Sequence, residues 1–348
     1  LPEKTTKVVK GFALVLSDDD KLIPSQRIIG IEKTLPALKP GQVLVKMLAT
    51  PVNPSDLMYL LGKYGLTAED GAFVGFEGCG IVEAANAGLY GKWLTGKRVA
   101  LSAQPGIDGV WAEYAITKAN LCLPVRKALS DEQAATIIVN PCTSVCLVER
   151  AIALGSKAIV INAGASQVGK GAIRYAKLKG IKTIATVRSA ANVAVLQALG
   201  ADCVLLTSDE SFDQSLKHWA KKLKATVLLD AVAADDTPRA LNAMPNSSTA
   251  LVYGRLTETQ DALGGLFSVA DVIFRDIRIE GFWLAKYIGD ASPLQVLALS
   301  SKVQKLFAQG IFKTDIYARV GFEDFAQALD HYAQHKSDGK VILVPNIT

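Results

Sequence analysis

From about residue 131 the chain settles into a rhythm that few folds can accommodate. Short apolar runs alternate with longer helical stretches: AIVIN from Ala158, KTIATV from Lys182, DCVLL from Asp202, TVLLD from Thr226, TALVY from Thr249 and IRIEGF from Ile277. A strand that is apolar along its whole length must be buried on both faces. In a strand–helix alternation this means a parallel sheet covered by helices on either side. Six such runs predict a doubly wound parallel α/β sheet. The first ~125 residues keep a different rhythm. QVLVKMLATPVN alternates apolar and polar positions, and GCGIVEAA, GKRVALSA and WAEYAITK read as further short strands punctuated by Gly and Pro. That half predicts a compact β-barrel or sandwich. The last stretch reads as mostly helical, with a closing strand in GKVILVP.

The run AIVIN leads straight into AGASQVGKGAIRYAK. In a Rossmann unit this strand-to-helix turn carries G-x-G-x-x-G, and here Gly164, Ser166 and Gly169 take the three places. The first Gly permits a tight turn, and the middle residue must be small so that backbone can approach a pyrophosphate. The last Gly lets helix and strand pack closely. The helix N-terminus then offers N–H groups and a positive dipole end to the phosphates. The second strand ends at Val187-Arg188-Ser189. An NAD site usually has Asp or Glu there for the ribose hydroxyls, whereas a guanidinium suits the 2′-phosphate of NADPH. The predicted cofactor is therefore NADPH; the alternative is a surface Arg188 with no ligand.

At 348 residues the chain is long enough for about two domains. Its net charge of +5 is spread without a block of five or more like charges, so no nucleic-acid partner is expected. No apolar run approaches the ~20 residues of a membrane span, and the N-terminus does not read as a signal peptide. The chain opens with Leu1 rather than Met. The compartment reading is cytoplasmic, with mitochondrial as the alternative if a targeting segment was removed upstream. The five cysteines, Cys79, Cys122, Cys142, Cys146 and Cys203, are scattered among apolar neighbours and read as reduced, buried thiols.

Six further motifs carry a resemblance. They are VNPSD from Val52, GKYG from Gly62, GFEGCG from Gly75, VNPCTS from Val139, VYG from Val252 and GFWL from Gly281. In this order they resemble the medium-chain dehydrogenase/reductase superfamily, and within it the 2-enoyl thioester reductases and NADPH:quinone oxidoreductases. The resemblance implies a chaperonin-10-like β-rich catalytic domain over residues 1–130 and 285–348, and a Rossmann NADPH domain over 131–284. Zinc alcohol dehydrogenases of the superfamily bind a catalytic metal through Cys, His and Cys. Asn53, Phe76 and Val139 stand at the matching places, so a zinc-independent enzyme with no metal site is expected.

The resemblance also implies roles. Tyr64 would be the catalytic donor to the developing enolate oxygen. Asn53 would order the loop or bond the cofactor. Asn140 and Thr143 would contact it near the ring and ribose, Ala165, Ser166, Gln167 and Val168 would line the pyrophosphate loop, and Arg188 with Ser189 would face the 2′-phosphate. Tyr253 and Gly254 would touch the nicotinamide half. Phe282, Trp283 and Leu284 would hold the ring amide, and Lys340 would reach the cofactor from the C-terminal return. The substrate implied is an enoyl thioester on coenzyme A or acyl carrier protein. A quinone or enone is the alternative, and a non-catalytic NADPH-binding structural or RNA-binding protein is a minor one. Arg255, directly after VYG, and the form of GFEGCG depart from the enoyl reductase pattern and leave the substrate class open. The sixth strand should lie at a sheet edge without Pro, open to antiparallel pairing in a homodimer.

Overall fold

A computed structural model describes residues 7–103, 108–257 and 265–347; the N-terminal residues on which the compartment reading turns lie outside that range. The chain divides into two units, Leu1–Val139 with Pro293–Thr348, and Asn140–Ser292.

The first unit begins with strands β1 (Val8–Leu14), β2 (Ile28–Thr34), β3 (Gln42–Pro51), β4 (Glu77–Asn86), β5 (Arg98–Ser102), β6 (Tyr114–Lys118) and β7 (Cys122–Pro124). The second supplies β8 (Ala158–Ile161), β9 (Lys182–Val187), β10 (Cys203–Leu206), β11 (Ala225–Asp230), β12 (Thr249–Val252) and β13 (Arg278–Gly281). The chain returns to the first unit for β14 (Ile316–Val320) and β15 (Lys340–Leu343).

Among the described residues of the first unit, the larger sheet runs β14-β15-β3-β4-β5-β7, with β6 also on β3 and β1 paired with β2 apart. The ten-residue β3 is the organiser, because it pairs antiparallel with β4, β6 and β15. Its centre, Val43 to Met47, is apolar except for the exposed Lys46. Beside it Trp111 is fully buried, packs edge-on against Phe325 at 4.8 Å and donates its indole N–H to Pro51 O at 3.2 Å. Gly75 is required here. Its φ is +97°, and a Cβ would stand 2.3 Å from the Trp111 ring. The expectation of a β-rich N-terminal half is met. The strand β14 is a difference: its IYARV alternates between half-buried and exposed positions at the sheet edge, so it lacks the continuous apolar signal of its parallel neighbour β15.

In the second unit every one of the six apolar runs carries a strand, and all pair parallel in the order β10-β9-β8-β11-β12-β13. The four residues of β8 are completely buried, as the two-faced burial of a central parallel strand demands. The order reverses between β8 and β11, the place where doubly wound sheets open a crevice at the carboxyl ends of their strands.

Candidate active site

In the first unit the motifs expected at the catalytic site converge on a small buried polar cluster. Pro54 opens the helix Pro54–Leu60, and Asp56 in its first turn accepts from the Asn53 N–H at 2.7 Å. The other Asp56 oxygen accepts from the Phe76 N–H at 3.0 Å. Asn53 has no exposed surface; its amide N–H donates to Glu77 Oε1 at 3.0 Å and its Oδ1 accepts from the Lys340 ammonium. Glu77 Oε2 accepts from the Val139 N–H at 2.9 Å and the Ile138 N–H at 3.2 Å. Lys340, expected at the cofactor, is 1% exposed and also donates to Val52 O at 2.9 Å.

Burial dominates the protonation of these groups. It pushes Asp56 up to about 7, against the pull of the Asn53 N–H and Lys340, and it raises Glu77. It pulls Lys340 down to about 8, against the two carboxylates. Tyr64 lies just beyond the helix, half-buried, with its ring 5.0 Å from that of Phe76. Gly62, with φ +66°, turns the chain toward it.

In the second unit the predicted cofactor residues gather at the carboxyl ends of the parallel strands. Ser166 caps the helix Gln167–Leu178, accepting from the Gly169 N–H at 3.0 Å. The two glycines of the turn are needed for space. A Cβ on Gly164 would lie 3.0 Å from Ala185 and from Leu196, and one on Gly169 would lie 2.6 Å from Gly164 O. The left-handed residue of this turn is Ala163, φ 47°, rather than Gly164. Ala165, Gln167 and Val168 complete the loop, and Val168 O accepts from Ser144 on the helix Val139–Ala153, which carries Asn140 and Thr143, both buried.

Arg188 and Ser189 are exposed directly after β9. Asp236 is raised by burial and by Asp230, while Arg239 and Arg188 oppose this. Tyr253 and Gly254 follow β12, and a Cβ on Gly254 would lie 3.0 Å from Ala231 O. The Tyr253 hydroxyl is buried without a hydrogen-bond partner, and the Ser166 side chain is close enough to influence it. Past β13, the Phe282 N–H donates to Val252 O at 2.8 Å, and Trp283 and Leu284 start the next helix.

These features fit a dinucleotide. The helix N-terminus directs its first-turn amides outward, the glycines leave room for close backbone approach, and a buried hydroxyl remains unsatisfied beside the loop. A catalytic zinc does not fit. Phe76 and Val139 have no donor atom, and both ends of the Asn53 amide are taken. Among the described residues no group of three or more His, Cys, Asp or Glu side chains could hold a metal. The five cysteines are buried and none is joined in a disulfide; burial pushes the thiols of Cys79 and Cys122 up to about 12 and that of Cys203 up to about 11, so these three stay protonated.

Several residues of these clusters escaped the sequence reading. Asp230, wholly buried at the end of β11, accepts from Asn162 Nδ2 at 2.5 Å, from the Ala233 N–H at 2.9 Å and from Thr237. Asn162 returns a bond by accepting from the Ala231 N–H at 2.7 Å, which pins the ends of β8 and β11 together. Lys170, next to Gly169, is 8% exposed. Asp56, Glu77 and Asp230 shared one legible signal: a carboxylate set inside or beside an apolar run must find partners when buried.

The family model of the alcohol dehydrogenase GroES-like domain matches residues 39–127, and that of the zinc-binding dehydrogenase matches 168–301. The mitochondrial enoyl-[acyl-carrier-protein] reductase of Bos taurus is 30% identical over 319 residues, covering 89% of this chain and 82% of its own. The crystal structure of a putative NADPH:quinone reductase from Mesorhizobium loti superposes with a TM-score of 0.88 at 31% identity, over 97% of this chain and 98% of its own. A heterodimeric mitochondrial 2-enoyl thioester reductase from Candida tropicalis shares the fold, with a TM-score of 0.80 at 21% identity over 97% and 100% of the two chains.

Proposed function

Because this chain belongs to the medium-chain dehydrogenase/reductase superfamily of oxidoreductases, we propose that it reduces the conjugated carbon–carbon double bond of a 2-enoyl thioester with NADPH. The observation that carries this reading is its likeness to an enoyl-[acyl-carrier-protein] reductase along 89% of its length. When bound, NADPH supplies a hydride to the electron-poor β-carbon. The thioester oxygen gains negative charge, the Tyr64 hydroxyl donates a hydrogen bond to it, and a proton added at the α-carbon completes the reduction. The loop Gly164–Gly169 receives the pyrophosphate, and Tyr253 offers its orphaned hydroxyl beside Ser166. Arg188 and Ser189 receive the 2′-phosphate, and Asn140, Thr143, Gly254 and the segment Phe282–Leu284 hold the ribose and ring. No step is assigned to a metal.

A second reading, reduction of a quinone or enone, is favoured by the likeness to the NADPH:quinone reductase at 31% identity. Arg255, exposed after β12, would then shape a pocket that takes no acyl carrier. Acyl carrier protein is the proposed partner under the first reading. The mitochondrial location of the bovine relative supports the mitochondrial alternative over the cytoplasmic one. Among the described residues no helix is long and apolar enough to cross a membrane.

A steady-state comparison of crotonyl-CoA, a longer enoyl-CoA, a simple quinone and a simple enone, each with NADPH and with NADH, tests the proposal. The enoyl-CoA substrates with NADPH should give the highest kcat/KM. A quinone preferred over both thioesters would replace the first reading by the second.

A further inference from the structure

Phe76 and Val139 have no side-chain donor for a metal and the Asn53 amide is taken at both ends, yet each of the three positions is held by a charged or charge-assisted bond. Asn53 is held by Lys340, Glu77 and Asp56, Phe76 by Asp56, and Val139 by Glu77. We infer that Asp56, Glu77 and Lys340 form a buried ion cluster that positions the catalytic loop, joining these three points in one geometry and setting the ring of Tyr64 through Phe76.

The contacts support positioning over simple stabilisation. Apolar residues of similar volume often replace a buried ion pair with no loss of stability. Here, however, each charge bonds the backbone or amide of a different segment. Lys340 enters from β15, next to β3, and bonds Val52 O and Asn53. Glu77, the first residue of β4, reaches Asn53 on one side and the Ile138–Val139 backbone on the other. Asp56 ties the helix Pro54–Leu60 to the Phe76 backbone, and the Phe76 side chain is the surface on which both Tyr64, at 5.0 Å, and Tyr59, at 5.3 Å, are packed. All three ionisable side chains are 2% exposed or less, so solvent cannot take over these bonds if one partner is lost. Each of these bonds ends on backbone or on the Asn53 amide, which makes the three side chains positioning residues.

The inference rests on Tyr64 being the donor, and the experiment reads geometry and turnover separately. Full-length Glu77→Gln, which keeps the side-chain shape, and Lys340→Met are compared with the unsubstituted chain by amide hydrogen exchange, without cofactor or substrate. In Glu77→Gln the amides of Asn53, Phe76, Ile138 and Val139 should exchange roughly tenfold faster or more while those of β8, β9 and β11 are unchanged. On the best acceptor its kcat should fall roughly tenfold or more with the NADPH Kd within about twofold. Lys340→Met should speed exchange at the same amides more strongly; if it does not fold, Glu77→Gln decides. Exchange at the four amides equal to the unsubstituted chain, or faster to the same degree throughout, overturns the positioning role. So does faster local exchange with an unchanged kcat. If no acceptor is reduced by either protein, the functional reading has failed, and the exchange pattern still decides whether the cluster positions the loop.

Discussion

Tyr64 sits half-buried against Phe76 in a loop turned by a left-handed glycine, a setting that could serve packing or proton donation equally well. Tyr64→Phe separates the two. It keeps the ring contact and removes the hydroxyl, so kcat should fall by about 100-fold with a smaller change in KM, as for the loss of an oxyanion donor; an unchanged kcat returns Tyr64 to packing. Arg188 is exposed at the end of β9, with Asp236 within electrostatic range. Arg188→Ala should weaken NADPH binding by about 10- to 100-fold, the worth of a charge-assisted bond, and leave NADH nearly unaffected. Titrating both cofactors by fluorescence checks it, and equal losses would take the 2′-phosphate away from Arg188. Asp56 makes a prediction about stability. Burial lifts its carboxyl from 3.8 to about 7, so between those values the folded chain binds a proton that the unfolded chain has released. Stability should therefore fall as pH rises from about 4 to about 7, by up to about 1.4 kcal/mol per pH unit from this group. Lys340, pulled from 10.5 to about 8, acts in the opposite sense: stability should rise between those values, where the unfolded chain holds the extra proton. Urea unfolding across pH 4–10 should show the acid-side slope flattened in Asp56→Asn.

At the scale of elements, the phosphate turn joins β8 to the helix Gln167–Leu178 with almost no spare volume. Gly169→Ala places a methyl 2.6 Å from one carbonyl oxygen and 2.8 Å from another, neither of which can yield as a flexible side chain would. The expected cost is about 1–3 kcal/mol of stability, in the range of overpacking, with a clear loss of NADPH affinity. Gly289→Ala is the control: nothing lies within 4 Å of its Cβ and its φ is ordinary, so in the helix Leu284–Asp290 it should be neutral or stabilising. Thermal unfolding of the pair decides whether the turn is crowded as described. The turn was legible because Gly-x-Ser-x-x-Gly follows an apolar run and precedes a helical one. Its mechanics were less so. The left-handed strain sits on Ala163, and Gly164 is required by the approach of Ala185 and Leu196, which belong to other elements.

For the molecule as a whole, the edge of the parallel sheet at β13 bears on assembly. Among the described residues only β12 flanks β13; Val269, Ile273 and Phe274 of the helix before it and Ile279 on it are 71%, 64%, 80% and 48% exposed. An unpaired edge beside a broad apolar surface is a place for association. The Arg278 N–H goes to Ser248 O at 3.0 Å and the Phe282 N–H to Val252 O at 2.8 Å, so by alternation the backbone of Ile279 faces the open side. A homodimer paired through this edge should show twice the chain mass by light scattering at micromolar concentration. Ile279→Pro should shift it to one chain mass without disturbing the pairing with β12. A single-chain mass before any substitution would end the proposal.

The sequence by itself determined the parallel sheet, its six strands and the place of the phosphate turn. Each depends on a signal carried by neighbouring residues: two-sided burial writes an unbroken apolar run, and close packing of a turn admits only small side chains. It also showed that Phe76 and Val139 bring no side-chain donor to a zinc, since donor atoms belong to residue types; that the Asn53 amide is already taken needed the structure. The tertiary structure alone decided that Lys340, Glu77, Asp56 and Asn53 meet, that Gly75 lies under Trp111, and that the half-exposed Ile316–Val320 is a strand. These depend on partners brought together by the path of the chain. A buried charge announces that it needs a counter-charge, but only the fold determines which one, because Coulomb energy and desolvation depend on distance in space rather than along the sequence.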